Sequence, residues 1–226
     1  MTPTLYMHTW AREKYLSRHR FFVGQLSKRV LSQYSNIEEE ADEFARTEYE
    51  RMGQHYPEGD DGSAAEEAWQ RGIEFHGLLS AMREEMRLAA LAAIFQQWDK
   101  DLRSFLEHEL VHDHPFKKAQ DLAWDQDGGF PFFILKAYGW DCGLEAFSEP
   151  LKVCRLIVNV YKHGKGRSLD SIASTYPQYL RPNYGRPRMY LDHSDLIVTP
   201  EQYAAFVEAI ERFWQCFPER LYLSST

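Results

Sequence analysis

The sequence predicts an all-α fold, and three segments carry that expectation. From Ser63 to about His112 no proline interrupts an apolar series at helical spacing: Trp69, Ile73, Leu78, Met82, Met86 and Ala89, then Leu91, Phe95, Trp98, Leu102, Phe105 and Leu106. Glu149 to His163 is apolar around most of a helical circumference. Thr199-Pro200-Glu201-Gln202 places Thr at an N-cap, Pro at the first helical position and Gln at the third, which is a strong helix start.

Taken in order, Trp10 to Tyr34 is rich in apolar and basic residues and predicts a first helix, and Ile37 to Met52 predicts a second, acidic one. Gly53 to Gly62 breaks the pattern as an exposed loop. Ser63 with Glu66 suits a capping box at the start of the long stretch. Fifty residues exceed an ordinary globular helix, so a bend near Gly72 or Gly77, or a pair of helices, is expected there. Asp113-His114-Pro115 ends it. Short helices are expected over Phe116–Trp124 and Phe132–Ala137, with a turn at Asp125–Gly129 between them.

The helix at about 149–163 starts with Pro150 in its first turn and stops before Gly164 and Gly166. Leu169 to Ser174 predicts a short helix. Tyr176 to His193, with Pro177, Pro182 and Pro187, predicts an irregular Tyr/Pro/Arg-rich segment, followed by a short extended piece at Leu196-Ile197-Val198. The final helix, about 200–216, is expected to bury Tyr203, Phe206, Val207, Ile210, Phe213 and Trp214.

The 226 residues are long for one domain and short for two, and no Pro/Ser/Gly linker separates two apolar blocks, so a single helical domain over 1–226 is expected. A hydrophobic share of 44% is enough to build a core. No early apolar run resembles a signal peptide and no uncharged stretch is long enough to span a bilayer, which predicts a cytoplasmic chain with no membrane partner. Cys142, Cys154 and Cys216 are an odd number without a Cys-x-x-Cys, so they predict reduced thiols, with Cys154 and Cys216 as small core residues.

In the helix at 149–163, Leu151, Val153, Cys154, Leu156, Ile157, Val158, Val160 and Tyr161 fill a wide arc at roughly 100° per residue. Lys152, Arg155, Asn159, Lys162 and His163 crowd the remainder, and Arg155, Asn159 and His163 are successive i, i+4 neighbours. Such a strip suits either the wet side of a core helix or a site for an anionic, hydrogen-bonding substrate. Charge favours the second. The net charge of −8 argues against a general nucleic-acid coat, but between Leu151 and Leu191 eight cations (Lys152, Arg155, Lys162, Lys165, Arg167, Arg181, Arg186, Arg188) face only Asp170. Tyr176, Tyr179, Tyr184 and Tyr190 interleave with them, and Arg with Tyr suits phosphates and stacked single-stranded bases.

Other chemistries find less support. His108-Glu109-Leu110-Val111-His112 reads His-Glu-x-x-His, with two histidines on one helix face, but His114 stands at the helix end beside Pro115, and Asp125, Asp127 and Gly128 lack the later ligands of a calcium loop. The phosphate-binding P-loop, the dinucleotide glycine fingerprint and the nucleophile elbow are all missing from the sequence. No metal and no cofactor is expected.

A late helix reading Arg155-x-x-x-Asn159-x-x-x-His163-Gly164, followed by a polar glycine loop, resembles the HEPN superfamily. In particular it resembles bacterial members with a motif of about Asn-x-x-Lys-His-Gly-x-Gly-x-Ser, here Asn159, Lys162, His163, Gly164, Gly166 and Ser168. Gln97 to Leu106 resembles the aromatic-plus-charge helix upstream in such chains, so the likeness covers about 80–170. It implies a HEPN-like helical bundle and a metal-independent endoribonuclease. In that family a homodimer brings two Arg/Asn/His strips across one groove, often in a toxin or phage-defence effector, with an antitoxin or sensor as possible protein partner.

In that scheme His163 moves the proton, Arg155 holds the scissile phosphate and Asn159 orients phosphate or ribose. Lys152, Lys162, Lys165, Arg167, Arg181, Arg186 and Arg188 contact the RNA backbone. The chain departs from the family at Val158, where an Arg most often precedes the Asn; Arg155 stands one turn earlier on the same face. A noncatalytic helical RNA- or protein-binding module, such as an antitoxin-like or regulatory subunit, fits the same residues.

Overall fold

The computed structural model describes residues 4–53, 61–113, 131–182 and 188–223. It is all-α with one short two-stranded sheet: β1 (Thr4–Tyr6), α1 (Thr9–Arg29), α2 (Ile37–Gly53), α3 (Asp61–Asp113), α4 (Phe132–Ala137), α5 (Ser148–His163), α6 (Arg167–Thr175), α7 (Pro200–Cys216) and β2 (Arg220–Tyr222). The helix expected over Phe116–Trp124, the turn at Asp125–Gly129 and most of the loop after Gly53 lie outside the described residues. No helix among the described residues is long and apolar enough to cross a membrane. The chain divides into two compact units, Gly24–Ala89 and the remainder.

In the Gly24–Ala89 unit, α2 and the first half of α3 meet through Phe44 and Phe75, whose rings stack at 4.4 Å. Glu48 bridges Arg51 at 2.9 Å and Arg71 at 2.6 Å, and Arg71 also reaches Glu67 at 2.6 Å. These are surface pairs and contribute little individually. The long α3 is one continuous helix, so of the two expectations, a bend near Gly72 or Gly77 or a pair of helices, the pair is not found, and the start of α3 at Asp61 places Ser63 inside the first turn instead of at the cap. Gly72 has a packing role. A Cβ built on it would stand 2.7 Å from the Ala45 Cβ and 3.4 Å from the Ala41 carbonyl oxygen, so the glycine lets two helix backbones approach closely.

In the larger unit, α5 packs against α6 and α7. Leu151, Val153, Cys154, Ile157, Val158 and Val160 are buried along α5, as its apolar arc requires. From α7, Phe213 is fully buried among the rings of Trp98, Phe132, Trp140, Phe147, Trp214 and Phe217. The start of α7 is a complete capping box: Thr199 Oγ1 accepts from the Gln202 N–H at 3.2 Å and Gln202 Oε1 accepts from the Thr199 N–H at 2.8 Å. Tyr203, Phe206, Ile210, Phe213 and Trp214 are buried as expected, whereas Val207 is only half-buried and Ala209 takes a core place.

Cys216 is exposed, against the expectation of a core position, because it follows Phe213 and Trp214 onto the outer side of the last helical turn. Cys142 and Cys154 are buried free thiols, and burial pushes both up from the ordinary thiol range. The irregular segment after α6 holds short 3-10 turns at Pro177–Tyr179, Arg188–Tyr190 and His193–Asp195. Its extended piece pairs Leu196 with Leu180, and the Ile197 N–H donates to the Tyr179 carbonyl at 2.9 Å. β1 and β2 join the two ends of the described chain antiparallel, with Leu5 opposite Leu221 and both buried.

His19 on α1 is buried, with Nε2 3.1 Å from the Val207 carbonyl oxygen of α7. Burial lowers its affinity for a proton, a shift that the Val207 carbonyl and Glu211 oppose and Arg20 assists. The unfolded chain therefore binds more protons at this site than the folded one just below pH ~6.5, and stability falls as pH drops through that window. Urea midpoints measured from pH 7 to pH 5 are expected to decline for the wild type, and His19→Gln is expected to flatten the slope. Gly72→Ala is a second expectation. Helix propensity alone favours Ala by about 1 kcal/mol, but the Ala45 Cβ cannot rotate away. Thermal or urea unfolding is therefore expected to show a net loss of about 1–3 kcal/mol.

Candidate functional site

The polar strip of α5 exists because burial takes the rest of the helix. With six apolar side chains inside, Arg155 and Asn159 are left half-buried and Lys152, Lys162 and His163 exposed. The helix is unbroken from Ser148 to His163, so Arg155, Asn159 and His163 do share one face, at successive turns. Val158 is on the opposite, core side at 3% exposure, so an arginine at that position would point its guanidinium into the apolar interior rather than along the strip.

Gly164 stops the helix at φ 70°, and its N–H donates to the Val160 carbonyl at 2.8 Å. A Cβ at Gly164 would meet nothing within 4 Å, so the backbone angle and not space calls for glycine. The chain reverses through Lys165 and Gly166 into α6. That reversal brings the Ser168 hydroxyl to 3.5 Å from Asn159 Nδ2, a long contact that orients the amide without engaging it fully. Lys162 and His163 lie in the last turn of α5, where the helix carbonyls favour positive charge.

The remaining basic residues are placed unevenly. Lys152 is exposed, with its ammonium 3.7 Å from Glu149 and 6.0 Å from the centre of the Tyr176 ring. The Tyr176 hydroxyl donates to Glu149, which makes its own proton harder to remove. Tyr176 and Glu149 together hold the Lys152 proton more tightly than usual. Lys165 reaches the Met189 carbonyl at 3.2 Å and tethers the irregular segment to the glycine turn. Arg167 is exposed at the first turn of α6, and Arg181 Nε donates to the Ser194 carbonyl at 3.3 Å. Arg186 and the Arg188 side chain lie outside the described residues.

Sequence reasoning missed the Glu149–Tyr176–Lys152 group and the Asn159–Ser168 contact. Both depend on how α6 folds back on α5. It also missed a cavity of about 350 Å³ between the start of α1 and the end of α3, lined by Tyr6, His8, Trp10, Lys14, Ser104 and His108. Among the described residues no three His, Cys, Asp or Glu gather in reach of one metal ion. The side chains of His112 and His114 lie outside those residues. Glu109 accepts the Tyr6 N–H at 2.9 Å, so it serves β1 whatever else it does.

Such a strip can hold a phosphate through Arg155, offer an amide at Asn159 and present a titratable ring at His163 in one line along a helix. Comparison of the chain with protein-family models, with curated proteins and with solved structures found no match.

Proposed function

We propose that this chain is a metal-independent endoribonuclease of HEPN type that acts as a toxin or phage-defence effector. The observation that supports the reading is the strip itself: on a helix otherwise committed to the core, the polar face carries half-buried Arg155 and Asn159 and exposed His163 in register. RNA supplies its own nucleophile, the 2′-hydroxyl, so cleavage needs a proton carrier and a cation at the scissile phosphate. His163 takes or gives the proton. Arg155 forks onto the phosphate oxygens, and Asn159, steadied by Ser168, orients the ribose or phosphate. Lys162 and Arg167 guide the RNA backbone, with Lys165, Lys152 and Arg181 contributing beyond their present contacts.

Two copies of the chain make up the working site, each lending one strip. The first half of α3 supports assembly in its own right, since Trp69, Ile73, Leu78 and Met82 are between 45% and 71% exposed. Trp69 and Ile73 lie on one side of the helix and Leu78 and Met82 on roughly the other, so each pair offers an apolar contact to another protein. Light scattering at micromolar concentration is expected to give a homodimer, and a fully active monomer would overturn the composite site.

Against single-stranded and transfer RNAs, His163→Ala and Asn159→Ala are each expected to lower the cleavage rate by about 10²–10⁴-fold with helical content unchanged. Because no Asp or Glu lies between Leu151 and Leu169, cleavage is expected to persist in EDTA, and it should fall steeply with added salt. Loss on chelation with recovery in manganese would sink the mechanism. Intact RNA under all conditions, with a protein partner bound through Arg155 and Lys162, would make the chain a binding module instead.

A further inference from the structure

Of the cavities in the larger unit, the one between α1 and α3 combines an open aromatic face with charged and hydrogen-bonding groups. Trp10 and Lys14 sit one turn apart on α1, and Ser104 and His108 one turn apart on α3, so two helix faces present a ring and polar groups to the same space. Trp10 is 67% exposed, which leaves ring surface open even though His8 stacks beside it at 5.7 Å and 22°. The aromatic wall is braced. Tyr6 meets His8 edge-on at 4.0 Å, donates its hydroxyl to Glu219 at 3.1 Å, and lies under the Arg220 guanidinium at 5.2 Å.

At the base, Tyr15 stacks on Trp214 at 4.4 Å, which ties the cavity floor to the aromatic core. Glu109 spends one lone pair of Oε2 on the Tyr6 N–H, and a carboxylate has about four acceptor sites, so it retains capacity for a ligand donor. A tryptophan left mostly in water costs hydrophobic free energy unless something covers it. The volume, about 350 Å³, is that of a site for a small molecule rather than for a single ion.

We propose that this cavity binds an unpaired nucleotide, with the base stacked on Trp10, a hydrogen-donating base edge on Glu109 and the phosphate on Lys14. Guanine fits best, because its adjacent ring N–H and amino group can both donate to one carboxylate. Ser104 and His108 supply further hydrogen bonds to ribose or phosphate. The ligand is either a free mononucleotide or one residue of an RNA, and the chemistry is the same for both. The inference does not rest on cleavage at His163, and its test reads binding alone.

Isothermal titration of the full-length protein with guanosine 5′-monophosphate is expected to give saturable binding, tighter than with uridine 5′-monophosphate or inorganic phosphate. Trp10→Ala is expected to weaken it at least about tenfold, as loss of one stacked base does. Lys14→Met should weaken the monophosphate but leave guanosine unchanged. Glu109→Gln keeps a carbonyl oxygen for the Tyr6 N–H and is expected to abolish the preference for guanine over uracil. Both α1 variants alter exposed residues, and circular dichroism checks that they fold. A guanine-containing trinucleotide binding more tightly than the mononucleotide assigns the site to RNA, and the reverse assigns it to a free nucleotide. Absence of saturable binding, or binding indifferent to both Trp10→Ala and Lys14→Met, overturns the proposal.

Discussion

Phe213 is the residue on which the larger unit turns. Its ring contacts aromatic rings from α3 (Trp98), α4 (Phe132), the segment leading into α5 (Trp140 and Phe147), the last turn of α7 (Trp214) and the residue that follows that helix (Phe217). Truncating a buried phenylalanine typically costs about 3–5 kcal/mol, a large share of the ~5–15 kcal/mol that holds a domain together. The cluster also reaches the chain ends. Arg12 on α1 donates to the Phe217 carbonyl at 2.6 Å, and three residues later β2 begins its ladder with β1. With α7 fixed by Phe213 and α5 packed on α7, the rotation of α5 about its own axis is determined. Its polar strip is then the part of the circumference left half-buried or exposed, with Ser168 of α6 standing 3.5 Å from Asn159.

Periodicity and capping chemistry made most of the helices legible. The Thr199 cap could be read residue by residue because every participant lies within four positions, and Phe132–Ala137 followed the turn residues of Asp125–Gly129 in the sequence. The misreadings share a different cause. Gly72 reads as a weak point in a helix when only its own conformational freedom is weighed, but its function is to let Ala45 of another helix come close. Cys216 fits an apolar series, yet the last turn of α7 has already given its inner positions to Phe213 and Trp214. β1 and β2 are three residues each and pair across the length of the chain, which leaves too short an alternation to detect.

The α5 strip was legible for the same reason as the caps: Arg155, Asn159 and His163 belong to one helix, and 3.6 residues per turn suffices to align them. What surrounds the strip was not. A run of eight cations in sequence suggests a broad basic surface, whereas the fold draws several of them into specific contacts. Lys152 shares Glu149 with Tyr176, Lys165 holds the Met189 carbonyl and Arg181 that of Ser194. Lys162 and Arg167 remain exposed beside His163 in the sequence. Lys152 faces a carboxylate, whereas the bonds of Lys165 and Arg181 to neutral carbonyls leave their charge in place, and Lys162, Lys165 and Arg167 place three cations around the glycine turn between α5 and α6.

Charge is divided between the two units in a way that total composition conceals. Gly24–Ala89 contains fifteen acids against seven Lys and Arg, which accounts for the entire net charge of −8, while the other unit balances nineteen against nineteen. A polyanion approaching the chain thus meets a unit that repels it and a unit that is neutral overall. Under physiological salt, fields from exposed charges fade beyond about 8 Å, so attraction must come from cations within one Debye length of the bound phosphate. That condition selects a short strip such as Arg155, Lys162 and Arg167 over any general basic face. Under the proposed function it would also restrain nonspecific binding, because a polyanion that does not seat on the strip gains little from the rest of the surface.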